Sequence, residues 1–208
     1  RNRQEIECLL ADGNGTYFYY QYEAIGWELK QKSHTAQFFV SDYTLKYPAP
    51  FCLDMDGDKD FDCLVGNENG RVFYYENVGT TSSTSGTGEY SFTADDFSPS
   101  TYFSTNAWDL FGVDGTTQND LHSAPFCGDF DGDGDLDCIV GVKQSNSKTS
   151  NVHYFEYDNI TRTFTWQTDD FFAGCFEYNQ APTYAKPFCE DMDNDGDLDC
   201  IVGDVYGD

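Results

Sequence analysis

Three short stretches of this sequence place aspartates on alternate positions, and one of them reads DFDGDGDLDCIVG over residues 129–141. Carboxylates at positions one, three, five and nine of such a loop can converge on one centre, and a glycine at position six permits the sharp backbone turn. Negatively charged oxygen ligands on a flexible loop suit Ca²⁺ far better than Zn²⁺. The pattern therefore predicts three calcium-binding loops, in which the ion removes the repulsion between the carboxylates.

The three loops have the same spacing between their aspartates. The predicted side-chain ligands are Asp54, Asp56, Asp58 and Asp62 in the first loop, Asp129, Asp131, Asp133 and Asp137 in the second, and Asp191, Asp193, Asp195 and Asp199 in the third. The position-seven residues, Asp60, Asp135 and Asp197, are expected to supply a backbone carbonyl. Lys59 replaces the glycine of the first loop, which predicts a more strained or weaker site there.

An EF-hand is the obvious rival interpretation, and the residues exclude it. Position twelve of an EF-hand loop carries a bidentate Glu, whereas Val65, Val140 and Val202 stand there in this sequence. The flanking segments also read as strands, whereas an EF-hand needs helices. A merely solvated acidic turn does not explain three copies with unchanged ligand spacing.

Each loop belongs to a longer repeat. The segments APFCLDMDGDKDFDCLVG, APFCGDFDGDGDLDCIVG and KPFCEDMDNDGDLDCIVG begin at Ala49, Ala124 and Lys186 and align without a gap. A partial copy, CLLADGNGTYFYYQY from Cys8, aligns without a gap on CLVGNENGRVFYYEN from Cys63. Each full unit reads as four short β segments, with the aspartate loop between the first two, and the chain is rich in aromatic residues and glycine.

These repeats predict an all-β chain of tandem four-stranded blades of β-propeller type. The predicted blades are residues 1–48, a partial blade with strands two to four; 49–123 and 124–185, two full blades; and 186–208, a partial blade. A β-sandwich is the alternative, but a sandwich has no reason to repeat one loop three times.

The predicted strands are fewer than a closed four-bladed ring requires, so we do not expect this chain to close a propeller alone. Three arrangements remain open at this stage. The chain is part of a longer propeller, or copies join head to tail into a filament or surface coat, or two chains close one ring.

The cysteines have a regular spacing around the loops. Three predicted disulfides, Cys52–Cys63, Cys127–Cys138 and Cys189–Cys200, each enclose one aspartate loop, because antiparallel neighbours would bring their cysteines within bonding reach. Pairing between repeats and reduced core cysteines are the alternatives. The partners of Cys8 and Cys175 are left open.

Two sequons, at Asn14 and Asn159, can carry N-glycans only in a secretory pathway. Together with eight cysteines, they predict an extracellular disulfide-bonded glycoprotein, secreted or on the cell surface.

The formal net charge of −26 argues against nucleic acid and anionic membrane surfaces as partners. No apolar run approaches the length of a membrane span, so no membrane insertion is expected. His34, His122 and His153 are scattered without metal-ligand spacing, and the sequence contains no nucleophile elbow and no phosphate loop. Carboxylate pairs can hydrolyse glycosides, but every cluster here is better explained as a calcium cage. The chain is therefore expected not to be an enzyme.

The segment DFDGDGDLDCIVG, followed by an aromatic strand of the YYEN type, resembles the FG-GAP or VCBS-type calcium repeat that builds integrin-α-like propellers. The resemblance implies a propeller blade with its calcium loop between the first two strands, and a role in adhesion or assembly. The cysteine pair around each loop departs from the common pattern of that family.

We therefore expect a non-catalytic, calcium-stabilised extracellular repeat protein with a structural or adhesive role. Its expected partners are other copies of itself or neighbouring repeats, with a cell-surface protein or a glycan as further candidates. Two alternatives stay open. One is a glycan-binding, lectin-type propeller whose exposed aromatic residues stack on sugars, and the other is an accessory propeller domain of a larger secreted enzyme.

Overall fold

The protein is all-β in the residues that its computed structural model describes. These are residues 7–23, 26–34, 46–55, 61–68, 70, 72–75, 121–143, 152–158, 163–168, 171–173 and 184–204. They form twelve strands in four small antiparallel sheets and contain no helix. Accordingly, this part of the chain has no helix with the length and apolar character that a membrane crossing requires.

Each sheet corresponds to one repeat unit, and its strands pair in chain order. The first unit contains β1 (Glu7–Ala11), β2 (Thr16–Glu23) and β3 (Gly26–His34); the second contains β4 (Ala49–Leu53), β5 (Asp62–Gly66) and β6 (Val72–Tyr75); the third contains β7 (Leu121–Gly128), β8 (Asp137–Lys143), β9 (Val152–Asp158) and β10 (Thr163–Thr168); and the fourth contains β11 (Lys186–Glu190) and β12 (Asp199–Gly203).

The predicted division into blades remains a prediction, and β7 begins three residues before the boundary that it places between residues 123 and 124. The third unit is a four-stranded sheet, and the first unit has the three strands that the partial copy predicted. The predicted fourth strand of the second unit, YSFT over residues 90–93, lies outside the described residues. The described strands form no closed barrel or ring, so the propeller remains a prediction.

The strands after the first two aspartate loops, β5 and β8, form the centre of the fold. In β5 every residue is buried, and in β8 all residues but the last are buried, which agrees with short apolar runs covered on both faces. The two residues between cysteine and glycine point to opposite faces of the sheet, because side chains alternate along a strand. Val65 packs with Tyr17 of the first unit, whereas Leu64 packs with Val140 of the third.

Successive units pack closely through the first strands, β4, β7 and β11. The glycine that follows the two apolar residues in β5 and in β8 makes this approach possible. A Cβ atom at Gly66 would lie 2.0 Å from the Ser123 carbonyl oxygen, and one at Gly141 would lie 2.1 Å from the Ala185 carbonyl oxygen. Glycine is therefore required wherever the next unit's backbone lies against this position.

A second feature of the contact between units is an aromatic residue three positions before the proline of Pro-Phe-Cys. Tyr47, His122 and Tyr184 occupy this position and all have left-handed backbone, with φ of 50°, 56° and 61°. Their rings form a series, with centroids 5.3 Å apart between Tyr47 and His122 and 4.6 Å apart between His122 and Tyr184. The His122 amide donates to the Glu68 carbonyl, and the Tyr47 amide donates to the Gly13 carbonyl, so the backbone also joins the units.

Candidate metal centres

The second aspartate loop connects β7 to β8 at one end of the third sheet. Asp129, Asp131 and Asp133 are exposed, and one carboxylate oxygen of each lies within 4.8 Å of the others. Carboxylates at this separation repel one another, and a cation among them converts the repulsion into attraction. These hard oxygen donors fit a divalent metal ion and are compatible with Ca²⁺.

Backbone amides orient the three carboxylates. Asp129 accepts hydrogen bonds from the amides of Gly132 at 2.7 Å and Gly134 at 3.1 Å. Asp131 accepts one from the amide of Asp133 at 3.1 Å, and Asp133 accepts one from the amide two residues further on, also at 3.1 Å. Local bonds of this kind stabilise a tight turn and hold each side chain over the loop.

The third loop repeats this arrangement between β11 and β12. Asp191, Asp193 and Asp195 also bring one carboxylate oxygen each to within 4.8 Å of the others. Asp191 accepts hydrogen bonds from the amides of Asp195 at 3.1 Å and Gly196 at 3.2 Å. The two loops therefore place positions one, three and five together, as the spacing predicted.

Left-handed backbone occurs at two positions in each of these loops. At position six, Gly134 and Gly196 have φ of 93° and 99°, which explains the glycine that the sequence pattern requires there. At position four, Gly132 and Asn194 have φ of 80° and 62°. The left-handed backbone at position four was not predicted, although glycine and asparagine are the residues that most readily adopt this conformation.

The position-nine aspartate of the second loop is turned toward the neighbouring strand. Asp137 is fully buried and accepts hydrogen bonds from the Tyr154 hydroxyl at 2.8 Å and the Tyr157 amide at 2.9 Å. Burial raises the pKa of the Asp137 carboxyl, the hydrogen bonds from Tyr157 and Tyr154 oppose that rise, and the charge of Asp131 adds to it. This residue anchors the loop to β9, and its predicted role as a metal ligand remains a prediction.

In the other two loops, the position-nine aspartate forms a hydrogen bond with the backbone at the beginning of the loop. Asp62 accepts a hydrogen bond from the Met55 amide at 3.2 Å, and Asp199 accepts one from the Met192 amide at 3.1 Å. In the first loop, Asp54 and Asp62 are described, whereas Asp56, Asp58, Lys59 and Asp60 lie outside the described residues. The predicted first site and its expected weakness therefore stay predictions.

A disulfide closes the strand pair beneath each loop, as predicted. Cys52 bonds to Cys63, Cys127 to Cys138 and Cys189 to Cys200, with Cα atoms 4.1, 4.1 and 4.2 Å apart. In all three sheets the two cysteines are direct partners in the antiparallel register. The bonds therefore hold the two ends of every loop together whether or not a metal ion is bound.

The second and third loops border a common cleft of about 780 Å³. Aspartates of both loops and three aromatic residues line it: Asp129, Asp131, Asp197, Asp199, Phe130, Phe171 and Phe172. The negative charges of the two loops therefore face one common space.

The remaining sequence-predicted residues lie away from these centres. Asn14 is exposed in the turn between β1 and β2, and Cys8 lies in β1 opposite Tyr20 in the register. Asn159 and Cys175 lie outside the described residues. His34, His122 and His153 lie on three different strands, β3, β7 and β9, and none belongs to a metal-binding cluster in the part of the chain that the structure describes.

Tandem antiparallel sheets with an aspartate cluster between the first two strands of a unit define an all-β repeat protein whose loops have the donor atoms for a metal ion. Residues 129–202, from the first aspartate of the second loop to the fourth residue of β12, match the family model of the FG-GAP-like repeat. This part of the chain is an FG-GAP-like repeat, whereas the VCBS type and calcium binding remain predictions. Comparison with curated proteins and with solved structures found no significant match.

Proposed function

We propose that the chain is a non-catalytic, calcium-binding extracellular repeat protein with a structural or adhesive role, and that its units are blades of a propeller. The observation that carries this proposal is the pair of equivalent carboxylate clusters, each with oxygens within 4.8 Å of one another. Backbone amides hold three carboxylates so close together that their charges repel one another, and solubility alone does not require this arrangement. Three convergent carboxylates are suitable ligands for a divalent cation.

Calcium would act on the shape of the repeat. The loops lie at one end of the sheets, and the second and third loops border one cleft, so neutralising the clusters removes repulsion between neighbouring units. Carbonyl oxygens of Asp135 and Asp197 and the carboxylates at position nine are the further ligands that we assign to the ion. The disulfides support an extracellular location, because such bonds persist in oxidising compartments.

The test is a double substitution in the second loop, Asp131→Ala with Asp133→Ala. In saturating calcium we expect the melting temperature to fall by about 5 °C or more relative to the parent, since a stabilising ligand is lost. In a chelator the two proteins should melt together, or the variant should melt slightly higher because repulsion is relieved. Calorimetric titration should show one calcium site fewer.

The matched control removes two exposed carboxylates outside the loops, Glu28→Ala with Asp158→Ala. This control should keep the calcium response of the parent. An equal loss of melting temperature in calcium and in chelator for the loop variant would overturn the proposal, as would a parent protein that binds no calcium.

Lectin activity is the second candidate function, because four aromatic side chains are exposed in the described residues: Tyr47, Phe61, Trp166 and Phe188. Trp166 on β10 is 47% exposed and Tyr47 is 57% exposed. Exposed aromatic rings can stack on sugars. A glycan array with the parent and with Trp166→Phe and Trp166→Ala separates the two functions. Binding that survives in the Phe variant and is lost in the Ala variant supports a lectin, whereas no binding supports a scaffold.

A further inference from the structure

The turn between β1 and β2 presents Asn14 to solvent on a backbone that hydrogen bonds hold in place. One carboxylate oxygen of Asp12 accepts hydrogen bonds from the amides of Asn14 and Thr16, both at 2.9 Å. The Gly15 amide donates to the Asp12 carbonyl at 3.0 Å, and the Asp12 amide donates to the Thr16 carbonyl at 2.9 Å. Asn14 is exposed and begins a sequon. A glycan on this side chain therefore starts from a fixed backbone position.

The ring of Tyr47, two residues before β4 in the second unit, lies against this turn. A Cβ atom at Gly13 would lie 2.9 Å from Cε1 and 3.2 Å from Cδ1 of Tyr47, so the ring touches the backbone directly beside Asn14. The Tyr47 amide also donates a hydrogen bond of 3.3 Å to the Gly13 carbonyl. Tyr47 is nevertheless 57% exposed. A large part of this aromatic residue therefore stays open to solvent next to the glycan acceptor.

The equivalent turn of the second unit lacks the features that bring a sequon and an aromatic ring together. Glu68 stands where the first unit has Gly13, and Arg71 stands where it has Thr16, so this turn contains no sequon. Of these two turns, only the first combines a glycan acceptor with a glycine that leaves room for a neighbouring ring. The contact joins two described units, so it does not depend on what precedes the first unit or follows the fourth.

We propose that Asn14 carries an N-linked glycan whose first N-acetylglucosamine stacks on the ring of Tyr47. In the transfer, Nδ2 of Asn14 forms a bond to C1 of the sugar, the bond between C1 and a lipid-linked diphosphate breaks, and Nδ2 loses one proton. The aromatic ring covers the apolar face of the sugar. Because the turn is already ordered, the stacked sugar loses little additional conformational freedom. The glycan thereby links the first unit to the second.

The position of Thr16 determines when the glycan is attached. Thr16 is only 3% exposed, whereas the transferase must reach the threonine of the sequon in order to modify the asparagine. The transfer therefore precedes closure of the hairpin, and the sugar is in place when the second unit folds against the first. This inference shares with the proposed function only the extracellular location, on which it rests.

The experiment uses the full chain secreted from eukaryotic cells that attach oligomannose glycans, with Asn159→Gln so that Asn14 is the one sequon left. Mass spectrometry should find the glycan on the peptide that contains Asn14. Endoglycosidase H then leaves a single N-acetylglucosamine. We expect this trimmed protein to melt about 3 °C above the sugar-free protein with Asn14→Gln. In nuclear magnetic resonance spectra, the ring current of Tyr47 should shift the N-acetyl methyl signal upfield.

Two substitutions of Tyr47 separate stacking from other effects of the sugar. Tyr47→Phe keeps the ring, so both the melting difference and the shifted methyl signal should remain. Tyr47→Asn removes the ring, and asparagine tolerates the left-handed backbone at this position, with φ of 50°. Both signatures should then disappear. Each melting difference is taken between proteins with the same residue 47, so a loss of stability from the substitution itself cancels.

Three results would overturn the proposal: secreted protein without a glycan at Asn14, an equal melting difference in the Tyr47→Asn protein, and a methyl signal that this substitution leaves unchanged. Calorimetric titration of the same proteins with calcium tests the proposed function separately. A chain that binds calcium and carries no glycan at Asn14 retains the proposed function and contradicts this inference. A secreted chain with a stacked glycan and no affinity for calcium gives the opposite result.

Discussion

The hydroxyl of Tyr154 donates a hydrogen bond of 2.8 Å to Oδ2 of Asp137 and so joins β9 to the last position of the second aspartate loop. Asp137 is completely buried, and burial raises its pKa. The hydroxyl and the Tyr157 amide compensate a carboxylate that would otherwise be costly to bury. A buried polar contact therefore anchors the end of the loop to β9, independently of the carboxylate cluster at positions one, three and five.

The first prediction is that Tyr154→Phe destabilises the protein. The substitution removes one of three hydrogen-bond donors to a buried carboxylate, the others being the amides of Tyr157 and Phe130, and hydrogen bonds to charged groups contribute about 2 kcal/mol. We expect the free energy of unfolding, measured by urea titration in calcium, to fall by about that amount. Tyr157→Phe is the matched control, because Tyr157 donates through its backbone amide, so this substitution keeps the hydrogen bonds to Asp137 and should cost less than Tyr154→Phe. Equal losses in both variants would contradict the assigned bond.

The second prediction concerns the disulfide beneath this loop. Replacing Cys127 and Cys138 by Ala together releases the loop ends in the unfolded chain, and a loop of this length corresponds to about 3 kcal/mol of lost stability. Calcium affinity should weaken too, because ordering the loop then costs more conformational entropy on binding. Urea unfolding and calorimetric titration of the double variant measure both effects. A free energy of unfolding within about 1 kcal/mol of the parent would show that the disulfide has little influence on stability.

The carboxylate clusters and the disulfides of the loops could be predicted from the sequence, because one short segment contains all the residues that form them. The aspartate spacing, the glycine at position six and the enclosing cysteines depend on neighbours along the chain, and the clusters and disulfides agree with them. It did not predict that Asp137 accepts a hydrogen bond from Tyr154, because this partner lies on another strand behind an insertion. Only the register of β8 and β9 brings the two residues together.

The contacts between units were also missed, although the repeat contains a signal for them. Aligned copies place Tyr47, His122 and Tyr184 at one position, and they place Gly66 and Gly141 at another. Neither feature has a meaning within a single unit. The left-handed backbone of Tyr47 and Tyr184 and the lack of space for a Cβ atom at the two glycines are explained only by the backbone of an adjacent unit.

The third prediction compares two equivalent glycines. Gly141→Ala would place a Cβ atom 2.1 Å from the Ala185 carbonyl oxygen, so the third and fourth units must separate. Overpacking of this kind costs about 3 kcal/mol. Gly203→Ala is the control, since its nearest neighbour would be the Lys186 carbonyl oxygen at 4.0 Å. Thermal unfolding of dilute protein should show a large loss for Gly141→Ala and almost none for Gly203→Ala. Similar losses would contradict this packing.

The fourth prediction concerns His122, the middle ring of the aromatic series. Burial lowers the pKa of His122 below its usual value of 6.5, the charges of Lys143 and Lys186 lower it further, and Glu68 acts in the opposite direction. The unfolded chain therefore binds a proton at a higher pH than the folded protein does. The contribution of neutral His122 to the free energy of unfolding is fully present above pH 6.5. This contribution is lost as the pH falls from 6.5 through the folded-state pKa.

Tyr occupies the equivalent position in two other units, so His122→Tyr removes the titration while it keeps an aromatic ring with left-handed backbone. We expect the parent to lose more stability than this variant between about pH 7 and pH 5, where histidine is the side chain that normally titrates. Urea unfolding of both proteins across this range measures the difference. Since the carboxylates are common to both proteins, their contributions cancel in the comparison. Parallel pH profiles would show that protonation of His122 does not oppose the contact between the second and third units.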